Sequence, residues 1–429
     1  MILPQAFLDR MKERLGKDFP AFLRAYDTPP YKGLRVNSLK VSAEDFIKNA
    51  PFPLGNRVEW EPLGFYISEE KAGRVIEHFA GLYYLQEPSA MCVGEMTAPC
   101  KKERVLDLCA APGGKTTQLA AQMQGEGILI SNEIDAGRAK ILSQNVERLG
   151  IKNCAVVSAP PQQLAEKFPA YFDLVLVDAP CSGEGMFLKE EEALSYWSLQ
   201  NVKLCAARQS EILDCAAQTV AGGGCLIYST CTFAEEEDEW QIRSFLARHP
   251  EFVLEREEKL YPHLVAGEGH YCARLRKSAG EKRDCKPYPV KRSEKANRAF
   301  DAFAKEFFNA SPKGEITTLD DGRMYLVPAG MPALGVRALR LGVELGEFDG
   351  KIFKPAHALA VSMKKEECKK FVPLPRDLAE KYLRGETLQT GEGNGWCVVG
   401  LGDYPLGLGK IVDGTLKNHY PKGLRKITS

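Results

Sequence analysis

Between residues 80 and 277 short apolar runs alternate with amphipathic stretches, and few folds accept that order. The runs are "RVLDLCA", "GILISNEID", "NCAVVSA", "FDLVLVDAP" and "GGGCLIYST". Each is short and apolar enough to be a strand buried on both faces, and the stretches between them carry helical periodicity. In "AGRAKILSQNVERLG", for example, Ile141, Leu142, Val146 and Leu149 are expected on one face. Strands joined by helices give a doubly wound parallel sheet of the α/β class. Ligands of such sheets bind beyond the carboxyl ends of the strands, so the residues just after each run deserve the closest reading.

The chain has 429 residues, which suggests roughly two to four domains. Residues 1–80, with "GLRVNSLK" at 33–40, mix helical and strand-like patterns and form an expected accessory domain before the 81–277 domain. The charged, proline-bearing stretch around 278–295 reads as a linker. A small domain over 296–367 and a last one over 368–429 follow, with a break near "KKEECKK" (364–370).

Charge and cysteine content exclude several classes. Lys plus Arg (57) balances Asp plus Glu (57), so nucleic-acid contact would have to come from local patches. Thirteen cysteines in so long a chain do not make a disulfide scaffold, and no two form a C-x-x-C pair, so no metal is expected. Cys154, Cys205, Cys215 and Cys225 lie in apolar patterns as small buried side chains. The N-terminus is amphipathic and contains acids, unlike a secretion signal, and no apolar stretch reaches the about 20 residues of a membrane span. A cytoplasmic monomer is expected.

"DLCAAPGGKTTQL" (107–119) places a turn of small residues between the first strand and a helix. A phosphate-binding P-loop would need glycine where Cys109 stands, and the dinucleotide fingerprint G-x-G-x-x-G is absent. What remains is a loop, Cys109, Ala110, Ala111, Pro112, Gly113, Gly114 and Lys115, in which a ligand can approach the backbone and the helix N-terminus. Glu133 ends the second strand, where an acid can accept hydrogen bonds from two ribose hydroxyls. A ribose without a pyrophosphate cradle points to S-adenosylmethionine as cofactor.

Two cysteines follow apolar strands: Cys181 in "DAPCSGEGMF" and Cys231 in "YSTCTF". Together with "DLCAAPGGKT" these motifs resemble the RNA 5-methylcytosine methyltransferases, and especially their bacterial ribosomal members. "LRVNSLK", "YYLQEPSAM", "GDYPLGLGK" and "LKNHYPKGLR" extend the likeness over nearly the whole chain. The resemblance implies a Rossmann-like methyltransferase domain, an N-terminal α+β domain and a C-terminal PUA-like RNA-binding domain. It also implies methylation at carbon 5 of cytidine in 16S ribosomal RNA, with ribosomal RNA or the small subunit as partner. The same chemistry on tRNA, or a catalytically vestigial RNA-binding assembly factor, are the alternatives.

By the same resemblance Cys231 is the nucleophile, Cys181 assists release of the adduct, and Asp178 binds the cytosine edge. Lys115 either tunes these groups or is an exposed lysine at a helix start. The family often presents an acid or amide to the adenine after the third strand; here "SAPPQQL" puts Pro160 there, leaving recognition to backbone groups or Ser158. The acidic run "EEEDE" (235–239) reads as favourable charge at a helix N-terminus. In the tail 416–426, Lys417, His419, Lys422, Arg425 and Lys426 suit phosphate contact, with Tyr420 available for stacking.

Overall fold

The computed structural model describes residues 2–98, 103–189, 191–390 and 393–425. At its centre lies an eight-stranded sheet in the order Phe252–Leu260, His270–Lys277, Val220–Thr230, Phe172–Asp178, Arg104–Asp107, Ile128–Asn132, Cys154–Val157, Ala338–Leu341. The five strands from Val220–Thr230 to Cys154–Val157 pair in parallel. They are the five apolar runs, and nearly all their residues are buried between helices on both faces. The chain order reverses between Arg104–Asp107 and Phe172–Asp178, which opens a crevice at their carboxyl ends.

Helix Ala136–Arg148 buries Ala139, Leu142 and Val146, with Leu149 just beyond. Ile141 is 48% exposed, against expectation. It stands one position from Leu142, hence about 100° round the helix and off the packed stripe.

Three smaller sheets flank the central one. The N-terminal sheet pairs Leu54–Val58, Glu61–Ile67, Lys32–Val36 and Tyr83–Leu85, so it extends past residue 80. A third sheet spans Glu315–Thr318 to Phe353–Pro355, and the last spans Phe371–Leu374 to Thr415–Asn418. Two segments lie differently from the sequence expectation. Ala338–Leu341, from the small domain, adds antiparallel to Cys154–Val157 and caps the exposed edge of the central sheet. The stretch read as a linker is pinned by backbone bonds: Gly222 donates to Glu281, Arg283 to Ala170 and Tyr288 to Met331. Among the described residues no helix is long and apolar enough to cross a membrane.

The motif "LRVNSLK" joins the N-terminal sheet to the central domain. Buried Asn37 donates from Nδ2 to the carbonyls of Gly81 (2.8 Å) and Leu149 (3.0 Å), while its Oδ1 accepts from Leu39 N. Lys40 donates to the carbonyls of Ala80 and Arg148, and burial together with the Arg148 charge brings its pKa down to about 7. These bonds satisfy the carbonyls that end helix Ala136–Arg148. Asn37→Ala should therefore leave two buried carbonyls without this donor and lower stability by about 1–3 kcal/mol. Urea denaturation measures it, and a change below about 0.5 kcal/mol, the scatter of ordinary surface substitutions, would contradict this role.

Candidate active site

The crevice holds a cavity of about 1040 Å³, at the upper limit of the usual range for small-molecule sites. Its walls bring together the separate sequence motifs. Cys109, Ala110, Ala111, Pro112, Gly114 and Lys115 line it from the first strand and Glu133 from the second. Asp178, Cys181 and Cys231 line it from the fourth and fifth.

Gly113 shapes the turn without forming a wall. It adopts φ +114°, a conformation that favours glycine, at the N-cap of helix Gly114–Met123. The turn is held from three sides. Asn145 donates to Pro112 O (2.9 Å), Arg138 to Ala111 O (2.8 Å), and Arg35 to Gly114 O (3.1 Å) and Thr117 Oγ1 (2.7 Å). Arg35, the arginine of "LRVNSLK", is fully buried, and burial lowers its pKa to about 10, so it remains charged at neutral pH.

Glu133 is 4% exposed; Oε1 accepts from Asp135 N (3.0 Å), and Oε2 lies 3.5 Å from Arg138. Neighbouring Asn132 ties two loops by donating to the carbonyls of Leu108 and Ala159. Asp107 lies deeper, with Thr116 Oγ1 donating to its Oδ2 (2.6 Å) while Oδ1 has no partner among the described residues. Burial pushes its carboxyl up to about 7, against the Thr116 hydroxyl. A small-residue turn, a carboxylate at the end of the next strand and an unpartnered buried oxygen suit a ribonucleoside ligand. Pro160 is not part of the wall. Its carbonyl is taken by Gln163 and Leu164 at the start of helix Pro161–Lys167, and the cavity is bounded there by Pro161 and Gln162. Ser158 is turned away, donating to Ile134 O (3.3 Å).

The two thiols meet at the other end. Cys181 and Cys231 have sulfurs 3.2 Å apart. The hydrogen bond to Cys231, and then burial, raise the Cys181 thiol well above the usual range. Beside them Lys115 Nζ lies 2.7 Å from Asp178 Oδ2, and Ser229 donates to Asp178 Oδ1 (2.8 Å). Burial opposes the charge on Asp178, but Lys115 and these bonds outweigh it and hold its pKa below the usual range. Burial likewise opposes the Lys115 charge, and Asp178 overcomes it, so the lysine is a buried ion-pair partner and not an exposed helix residue.

The acidic run has a different part from the one its sequence suggests. Glu237 and Asp238 are fully buried. Glu237 Oε2 accepts from Ser182 N and from Gln209 Nε2, both at 2.9 Å, and Gln209 also donates to Pro180 O. Asp238 Oδ1 accepts from Thr230 (2.6 Å), and Ser182 and Thr232 share a hydroxyl bond of 2.9 Å. The run thus clasps the Pro-Cys loop to the Thr-Cys loop. Glu236 and Glu239 pair with Arg10 and Arg14 of the N-terminal helix, and Arg14 also donates to Phe233 O. Only long-range contacts reveal this, although five consecutive acids where one or two suffice for a helix start were a signal.

The sheet order, the small-residue turn and the carboxylates at the strand ends define a Rossmann-like methyltransferase. Matching family models agree and cover most of the chain. Residues 95–276 match 16S rRNA methyltransferase RsmB/F, and residues 3–88 the N-terminal domain of 16S rRNA methyltransferase RsmF. Residues 302–363 match the RsmF first C-terminal domain and 369–426 the RsmF PUA domain. Ribosomal RNA small subunit methyltransferase F of Cronobacter sakazakii is 34% identical over 98% of this chain and 96% of its own, and that of Klebsiella pneumoniae is equally similar. Among solved structures, a methyltransferase homolog protein from Pyrococcus horikoshii is 28% identical, with a TM-score of 0.55 over 64% of this chain and 100% of that one. NSun6 from Pyrococcus horikoshii, solved with SFG, shares the fold at 20% identity, with a TM-score of 0.58 over 65% of this chain and 99% of that one. The chain belongs to the RsmF family of 16S rRNA methyltransferases.

One position tests the clasp. Gly185 donates to Cys231 O (2.8 Å), and a Cβ on it would stand 2.9 Å from that oxygen and 3.0 Å from Gly269 O. Gly185→Ala should push Cys231 off its position and lower methyl transfer by about 100-fold or more, the effect of roughly ångström misplacement. The turn 109–115 and Glu133 lie at the other end of the cavity, so a ligand bound there should keep its affinity within about twofold, the size of a change of a few tenths of a kcal/mol. Wild-type turnover in this variant would show that the contact is not needed.

Proposed function

We propose that this methyltransferase makes 5-methylcytidine in small-subunit ribosomal RNA from S-adenosylmethionine, through a covalent adduct on Cys231. The observation that carries the reading is the pair of sulfurs 3.2 Å apart beside the Lys115–Asp178 ion pair. S-adenosylmethionine would lie along the turn 109–115 with Glu133 on its ribose hydroxyls, and supplies an electrophilic methyl group when bound.

Carbon 5 of cytosine is too weak a nucleophile on its own. Addition of the Cys231 thiolate at carbon 6 forms an S–C bond and moves the ring's electron pair onto carbon 5, which can then take the methyl group. Water entering the cavity takes the carbon 5 proton, the C–H electron pair forms the C5–C6 double bond and the S–C bond breaks, which restores the aromatic ring. Asp178, held ionised, accepts from the cytosine amino edge. Cys181 stays a thiol at neutral pH, so it can donate its proton to the departing sulfur of Cys231. The target base has to leave its helix to reach this depth.

Cys231→Ala should abolish methylation while cofactor and RNA still bind. Cys181→Ala should still attack but resolve slowly, so that a protein–RNA adduct accumulates on a denaturing gel with cofactor present. An adduct from Cys231→Ala and none from Cys181→Ala would reverse the two roles, and no adduct in either together with normal turnover would end the covalent reading.

The RNA surface on the C-terminal domain also needs revision from the sequence. Tyr420 is 4% exposed, packed edge-on against His357 and Tyr382, so it serves the core and cannot stack on a base. Arg425 is half-buried against Gly385, and Lys426 lies outside the described residues. The available cations are Lys410 and Lys417, which face each other across a strand pair, with exposed Lys422 beyond them. His419 rests on Trp396, with ring centres 4.5 Å apart, and Lys410 lies over the same indole. Changing Lys410, Lys417 and Lys422 to Ala should weaken ribosomal RNA binding and flatten the plot of log affinity against log salt by about 2–3, because up to three fewer counterions are released. Binding titrations over a salt series measure it; an unchanged slope would remove this surface from the interface.

A further inference from the structure

The turn through Glu268, Gly269 and His270 enters the site from the strand His270–Lys277. In that strand's antiparallel pairing with Val220–Thr230, Tyr271 stands opposite Thr230. His270 therefore comes opposite Cys231, one step beyond the last pair. The close approach of Gly185 to both Cys231 O and Gly269 O brings the same two backbones together at this point.

His270 is 2% exposed and lines the cavity with Cys181, Cys231 and Asp178. Its Nε2 is buried and has no hydrogen-bond partner among the described residues. Buried polar atoms are nearly always paired, because leaving one unpaired is costly. The surrounding fold gives no reason for a histidine here, since the next residues, Tyr271, Cys272 and Ala273, are all buried core. The nearest charged groups are already committed, Lys115 to Asp178 and Asp178 also to Ser229. Burial first, and the Lys115 charge second, depress the imidazole to about 3, with Asp178 opposing. The ring is thus neutral at physiological pH, able to make one hydrogen bond at Nε2 without bringing a charge.

A cytosine in the position of the proposed mechanism presents an amino donor and two acceptors, N3 and O2. Asp178 serves the amino end. O2 is left needing a donor, and it needs one most after sulfur has added at carbon 6, when negative charge spreads over N3 and O2. We propose that His270 donates from Nε2 to the O2 carbonyl of the target cytidine, orienting the base and stabilising the adduct. No proton is transferred in this contact; the hydrogen stays on the imidazole while the S–C6 bond forms.

The inference rests on the carbon 5 reading, and one experiment separates the two. Full-length wild type and His270→Phe are compared in single turnovers on two transcripts of the target RNA, one made with 2-thiocytidine in place of cytidine. Sulfur is a weaker acceptor than oxygen, and any effect on RNA folding is common to both enzymes and cancels from the ratio. Wild type should lose about tenfold on the thio transcript, as for one hydrogen bond worth about 1.4 kcal/mol. His270→Phe should be about tenfold slower on ordinary RNA, with no further loss on the thio transcript and with cofactor affinity unchanged. His270→Gln, which keeps an N–H, should regain part of the discrimination, and it carries the same comparison should the Phe variant fail to fold. An oxygen-to-sulfur ratio equal in wild type and variants, or a variant as fast as wild type on ordinary RNA, would overturn the role of His270. Absence of carbon 5 methylation by wild type on ordinary RNA would instead overturn the reading beneath it.

Discussion

The site depends first on the parallel pairing of Phe172–Asp178 with Val220–Thr230 in the register that puts Asp178 opposite Ser229. Each strand runs to the same edge of the sheet, so the loops leaving them start side by side. Cys181 comes three residues beyond one strand's partner position and Cys231 two beyond the other's. Glu237, Gln209, Ser182 and Thr232 tie the two loops together through buried hydrogen bonds. Two sulfurs in contact are the product of sheet register plus this clasp.

The same logic extends outward. The turn 109–115 would be an ordinary strand-to-helix connection if Arg35 were not reaching into it from the N-terminal sheet. The loop after Cys231 is braced by Arg10 and Arg14 of the first helix. Residues before the methyltransferase domain thus complete its site from both ends. A domain that only delivered RNA would not need its arginine fully buried against the turn 109–115.

Local chemistry was legible in the sequence and long-range chemistry was not. The five apolar runs, the turn and the strand-end residues Glu133, Asp178, Cys181 and Cys231 could be read because each depends on a few adjacent residues. Periodicity placed the face of helix Ala136–Arg148 but could not resolve one step of about 100°, and so misplaced Ile141. The positions of Tyr83–Leu85 and Ala338–Leu341 depend on which sheet edge is free, and no local pattern carries that. Tyr420 has the surroundings of a surface residue in sequence, and its burial depends on Tyr382 and His357. Arg35, Glu237 and His270 were missed for one reason: a buried polar residue is conspicuous only when its partner, or lack of one, can be seen.

Charge counting explains why the two thiols need not be equivalent. In the resting site Lys115 and Asp178 cancel, His270 is neutral, and the hydrogen bond to Cys231 together with burial holds a proton on Cys181. A second thiolate 3.2 Å from the first would put two negative charges on touching sulfurs in a desolvated pocket with one nearby ammonium, an arrangement that favours protonation of one of them. One thiolate sharing the proton of its neighbour is the state such a pair can sustain. The hydrogen bond to Cys231 and burial both raise the Cys181 thiol, so Cys181 is the member that keeps its proton. In the proposed mechanism that proton lies next to the sulfur of Cys231.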